Sequence, residues 1–263
     1  MSDHPILFSA PMIRALLEGR KTQTRRVLKL PTKGEYVRPD MGGWEPSTAG
    51  GGGCFTIARD GSKVPTQEVV VIWNQTTGTC IATRWQAGDR LWVRETFQTA
   101  MSDNGPCWLY RANSDRVYPE FDGPDEGAGP SFNYEKYPAN YSAWAGDVEA
   151  GGPWRSPIHM PRWASRLTLI VDGVKVERLK DIGREDAVAE GLIKLELSPG
   201  HSAHKMGCDW GFEGDNRHGS PVSSYAALWN SINGAESWDA NPWVVAISFR
   251  VIKANIDQIE ATS

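Results

Sequence analysis

Apolar positions first gather in a short run, Pro5 to Phe8, and then recur at Met12, Ile13, Leu16 and Leu17, three and four residues apart. That spacing lays one apolar stripe along a helix of about two turns. Pro11 suits the first turn of such a helix, and Gly19 stands where a left-handed residue would end it. The next residues, GRKTQTRR from Gly19 to Arg26, change period: Thr22, Thr24 and Arg26 alternate with Lys21, Gln23 and Arg25, as in an emerging strand. Further strands are expected over Glu68–Trp73, Thr79–Trp85 and Arg90–Phe97, the last after a Gly88-Asp89 turn, with a short one around Trp108 to Arg111. Arg166–Leu179 predicts strand structure turning at Asp172-Gly173. Ile182–Leu192 and Ser223–Ser231 read as helices, and Trp243–Ile252 as a last, half-buried strand.

Between these elements, residues 31–64 and 101–156 are rich in Gly, Pro and polar residues and read as long loops or insertions. The order is helix, several strands, two helices, strand. It predicts an α+β fold in which strands close into a small mixed barrel with helices at one end. There is no internal repeat, no GxGxxG and no Walker-type loop.

Composition narrows the partners. The formal net charge of -4 excludes the global basic field that drives tight, non-specific binding to nucleic acid. The obvious cationic patch is local: Arg20, Lys21, Arg25 and Arg26. It fits a small polar ligand at least as well as RNA. The 12 tryptophans are spread along the chain, most of them expected in packing and a few as stacking walls for a base. Neither a secretory leader nor a membrane-spanning run is legible, and the 4 cysteines form no CxxC pair, so a reduced, cytoplasmic protein with no membrane partner is expected. His201, His204 and Cys208 lie close in sequence, but no fourth ligand follows at a zinc spacing, so neither a metal nor another cofactor is expected.

The residues best placed for chemistry are Lys21 and Thr24, three apart at a helix-to-strand junction. A threonine hydroxyl needs a base to become a nucleophile, and a buried lysine among cations can lose its proton to serve as one. The bland alternative is a solvated basic run. A carboxylate would complete the set, and two are candidates: Glu95 in LWVRETF, otherwise a structural ion-pair partner, and Glu190 at the end of EDAVAEGL, otherwise a helix-surface residue. His159, in SPIHMPRW, is a further loop residue able to touch a ligand. No GxSxG elbow or HExxH pair offers another route.

The pattern G-x-K-x-x-[E/T]-x-R, here Gly19, Lys21, Thr24 and Arg26, resembles the signature of the activating-signal-cointegrator homology (ASCH) domains. GDRLWVRETF, MPRWASR with the strand after it, EDAVAEG and WVVAISFRV are similar to that family too, in particular to its larger phage and bacterial members. The resemblance implies a PUA-like β-barrel with flanking helices, the whole chain, 1–263, forming one such domain with insertions near 31–64, 101–156 and 195–220. Many members carry Glu where this chain has Thr24. Thr resembles a smaller clade of amidohydrolases that remove acyl groups from the exocyclic amine of N4-acylated cytidine. In that clade Lys, Thr and Glu form the proposed catalytic set, which carries over onto Lys21, Thr24 and, through its A-x-x-E context, Glu190. Arg26, Arg20, Glu95 and His159 are then the candidates for contacting the substrate. A non-catalytic RNA-binding ASCH module and an ASCH-type ribonuclease are the other readings of the same resemblance.

Overall fold

Ile13 and Leu16, two of the positions spaced for a helix, are fully buried on the helix Ala10–Leu17 of the computed structural model. The structure describes residues 2–30, 43–102, 105–118, 121–122, 131–132, 153–197, 200–213 and 219–259. The parts of the expected insertions at 31–42, 103–104, 119–120, 123–130, 133–152, 198–199 and 214–218 lie outside them. The architecture is mixed α+β, with strands outnumbering helices. No described helix is long and apolar enough to cross a membrane.

The residues group into two compact units. The first comprises Met1–Asp3, Glu18–Arg90 and Leu169–Val251. Here the strand Gln23–Val27 pairs antiparallel with Trp243–Ile252, placing Thr24 opposite Ile247 and Arg26 opposite Val245. Thr168–Arg178 flanks Trp243–Ile252 on its other side, and among the described residues Gln23–Val27 ends the sheet. Phe249 N donates to Thr22 O and Leu28 N to Trp243 O, so even-numbered main-chain groups face the partner strand. By the alternation of an antiparallel ladder, Gln23 O faces away from it.

A helix end, rather than another strand, meets this region. The helix Arg184–Ala189 stops at Glu190, Thr22 N donates to Ala189 O at 2.9 Å, and Lys21 and Glu190 form an isolated antiparallel bridge. The barrel closure expected from the sequence is therefore absent among the described residues. The strand that would have to continue the sheet is replaced by the end of a helix.

The helix Pro221–Asn233 packs on Arg184–Ala189, and Ile182, Ala187, Leu192, Tyr225, Trp229 and Val244 form the core beneath them. Asp172 and Gly173 do not turn the chain. Thr168–Arg178 runs through them as one strand of 11 residues, Gly173 stays out of the left-handed region, and Arg250 Nε holds Asp172 Oδ1 at 3.0 Å from the neighbouring strand. Part of the expected loop over 31–64 is also strand. Trp44–Ala49 pairs with Val69–Asn74, and Phe55–Ile57 pairs with Lys63–Pro65. Short strands with exposed side chains lack the apolar alternation by which strands are recognised.

The second unit comprises His4–Leu17, Leu91–Thr168 and Ile252–Ser263. Phe97–Ser102 and Gly105–Tyr110 form a hairpin, with Arg116–Val117 added at its side. Phe97, Trp108, Tyr110, Met160 and Ala164 make its core.

Candidate functional site

Gly19 takes φ +74° after the first helix, a left-handed conformation that costs glycine little, and the chain then enters GRKTQTRR. Two residues on, Lys21 is fully buried. Its ammonium donates to Glu190 Oε2 at 2.8 Å, to Glu190 O at 2.9 Å and to Gln23 O at 2.9 Å. Three acceptors for three N–H donors compensate a charge that would otherwise be costly to bury. Burial pulls the Lys21 pKa below its ordinary 10.5, against the Glu190 carboxylate that holds the proton on; Arg26 and Arg25 add to the lowering.

Arg25, four residues on, is buried as well and spreads its fork over three carboxylates. Nε and Nη2 reach Glu177 Oε1 at 3.0 and 2.8 Å, Nη2 reaches Asp186 Oδ2 at 2.8 Å, and Nη1 lies 3.3 Å from Glu190 Oε1. Nη1 also donates to Gln23 Oε1 at 2.5 Å. Glu190 thus bridges the two cations, one oxygen to each. Tyr225 hydrogen-bonds Glu190 from the helix Pro221–Asn233, and its hydroxyl pKa is raised well above the usual value, first by burial and then by the Glu190 charge.

Thr24 is 3% exposed, and its hydroxyl makes no hydrogen bond among the described residues. Strand alternation sets Thr24 and Arg26 on the face opposite Gln23 and Arg25. Arg26 is half-buried; burial lowers its pKa, while the charges of Glu190 and Tyr225 oppose the shift. Arg20 holds Glu18 Oε2 through Nε at 2.6 Å and Gly191 O through Nη1 at 2.7 Å, which fastens the strand entry to the end of the Arg184–Ala189 helix.

Of the two candidate carboxylates, Glu190 is the one in contact with Lys21. Glu95 lies in the second unit, where both its oxygens are taken by Arg166, at 2.8 and 2.9 Å. Burial raises the Glu95 pKa and Arg166 resists the shift. His159, also in the second unit, is exposed at the end of the short turn Pro157–His159. His201 Nδ1 accepts from Ala203 N, and His204 Nδ1 lies 3.0 Å from Asp209 Oδ2. Among the described residues no three metal-ligating side chains converge.

Glu177, Asp186, Gln23 and Tyr225 were not singled out from the sequence. Asp186 was legible only as a first-turn helix acid and Tyr225 only as a helix-face aromatic. Glu177 carries no local signal, because it follows buried Val176 and is buried itself, which breaks the alternation of a half-buried strand. Compared with known protein families, curated proteins and solved structures, the chain matches none of them.

Proposed function

We propose that the protein is an amidohydrolase of the ASCH, PUA-like kind, removing acyl groups from the exocyclic amine of N4-acylated cytidine or cytosine. The observation that carries this reading is the buried contact between Lys21 and Glu190, two residues 169 apart in sequence that the motif resemblance had already grouped with Thr24. Thr24 Oγ1 attacks the acyl carbonyl as its proton passes to Lys21 Nζ in its neutral amine form, with Glu190 holding the lysine in place. The carbon–nitrogen bond breaks, the amine of the ring takes a proton back from Lys21, and water hydrolyses the acyl-threonine ester. Arg26 faces the developing oxyanion or the base, and the steps call for no cofactor or metal. For Nζ to reach the threonine hydroxyl, Lys21 exchanges its bond to Gln23 O for one to Thr24.

The test is release of cytidine from N4-acetylcytidine, and of cytosine from its acetylated form. Lys21→Ala and Thr24→Ala are each expected to lower kcat/KM by about 100-fold or more, the usual scale for losing an acid–base or nucleophilic group. Full activity in either variant would sink the assignment. The lowered Lys21 pKa predicts a rate that rises with pH on a limb centred below 10.5, since the amine is the reactive form.

A second reading rests on a different observation. Lys21 and the Arg25 side chain are fully buried, as expected of an ion-pair network that simply locks the strand to the helix end. No turnover across the acyl panel, with stability lost in the same variants, favours that reading. No turnover together with RNA binding that weakens steeply with salt favours the RNA-binding module.

A further inference from the structure

A cavity of about 360 Å³ opens in the second unit, remote in sequence from GRKTQTRR. Four aromatic residues line it, Trp108, Tyr110, Tyr118 and Trp163, with Arg166 and Lys253 as the cations. The two indoles meet with ring centroids 4.8 Å apart at 54°, a tilted pair that forms a corner rather than a flat stack. The Arg166 guanidinium lies 4.2 Å above the Tyr110 ring. It is fixed there by Glu95 on two donors, by Asp115 Oδ2 at 2.7 Å and by Asn113 Oδ1 at 3.0 Å. Tyr110 is itself anchored, its hydroxyl donating to Ala164 O at 2.7 Å. The wall is therefore preformed, rigid and flat-faced in its parts, which lowers the entropic cost of holding a planar ligand.

The charges on the wall decide what else the ligand carries. Arg166 is neutralised by Glu95 and Asp115, and Asp257 by Arg162 at 2.7 Å. Lys253 is exposed and forms no ion pair among the described residues, which leaves its ammonium as the cation available to an anionic group. The volume lies at the small end of ligand cavities, which run from about 300 to 1,000 Å³, and suits one mononucleotide-sized molecule rather than a polymer.

We infer that this cavity is a binding site for a small planar aromatic anion, a nucleoside monophosphate being the fitting representative. Its ring stacks against Tyr118 and Trp163, and its phosphate is held by Lys253. Glu95 then acts as a positioning residue: it aims Arg166, which in turn steadies the aromatic wall. The inference is independent of the amide-hydrolysis reading, which concerns the first unit.

Titration of the full chain with adenosine monophosphate, cytidine monophosphate, adenosine and inorganic phosphate, followed by calorimetry and tryptophan fluorescence, tests it. Both monophosphates are expected to bind with quenching, adenosine more weakly, and phosphate alone weakest. Lys253→Ala, at an exposed position, should weaken the monophosphates by about tenfold, a loss of about 1.4 kcal/mol, while leaving adenosine unchanged. Tyr118→Ala should weaken nucleoside and nucleotide alike. Absence of monophosphate binding at millimolar concentration would overturn the proposal, as would binding that neither variant alters.

Discussion

The Lys21 ammonium lies 2.8 Å from Glu190 Oε2, with the two side chains 0% and 3% exposed. Such a pair is strong in Coulomb terms and costly in desolvation, so its parts do not contribute additively. Glu190→Gln removes the counter-charge from a buried lysine and loosens Arg25 as well. It is expected to cost about 3–5 kcal/mol in urea unfolding. Replacing both, Lys21→Met with Glu190→Gln, should recover a large part of that loss. A double variant less stable than Glu190→Gln alone would contradict the pairing.

Arg25 is a separate case, because its geometry matters more than its charge. A lysine in its place keeps the charge but cannot reach Glu177, Asp186 and Glu190 together from one planar fork. Arg25→Lys should therefore destabilise by roughly 2–4 kcal/mol, read from the midpoint of urea unfolding at neutral pH. If Arg25→Lys unfolds at the wild-type midpoint, the network is not what holds the strand to the helix.

Tyr110 and Tyr225 give a pH prediction with a definite sign. Burial raises both pKa values above the ordinary 10.0, so the folded chain keeps protons that the unfolded chain releases. Their contribution to stability is complete below pH 10 and declines as pH rises beyond it. In an alkaline titration followed by tyrosinate absorbance, these two should stay silent until circular dichroism reports unfolding. Their ionisation in a still-folded chain would refute the burial argument.

Gly19 tests the backbone without any packing term. At φ +74° a side chain is strained, yet a Cβ there would meet nothing within 4 Å. Gly19→Ala should cost about 1–2 kcal/mol, the left-handed penalty alone. A loss much above that range would mean that the entry to Lys21 is constrained by more than its dihedral angles.

How far the sequence reached differs by element. The first helix and Gly19 followed from apolar spacing and the need for a left-handed residue, both local properties. Trp243–Ile252 was read with the ends it has, because its apolar run is bounded by Pro242 on one side and Lys253 on the other. Asp172-Gly173 misled, since an exposed Asp-Gly carries the same local signature whether the strand bends or is held straight by its neighbour. Barrel closure could not be read at all, because it depends on what lies beside Gln23–Val27 and not on that strand. In the candidate site, Lys21 and Glu190 were named from a motif and a helix context. Glu177, by contrast, became visible only when the sheet brought it to Arg25.

One detail of that strand bears on how copies of the protein behave toward each other. Among the described residues Gln23–Val27 ends its sheet, and the outward carbonyl of Gln23 already accepts from Lys21 Nζ. An intruding strand would have to displace an ammonium that is also bound to a buried carboxylate. At that carbonyl the terminal strand is a poor template for recruiting another chain, a local guard against edge-to-edge pairing.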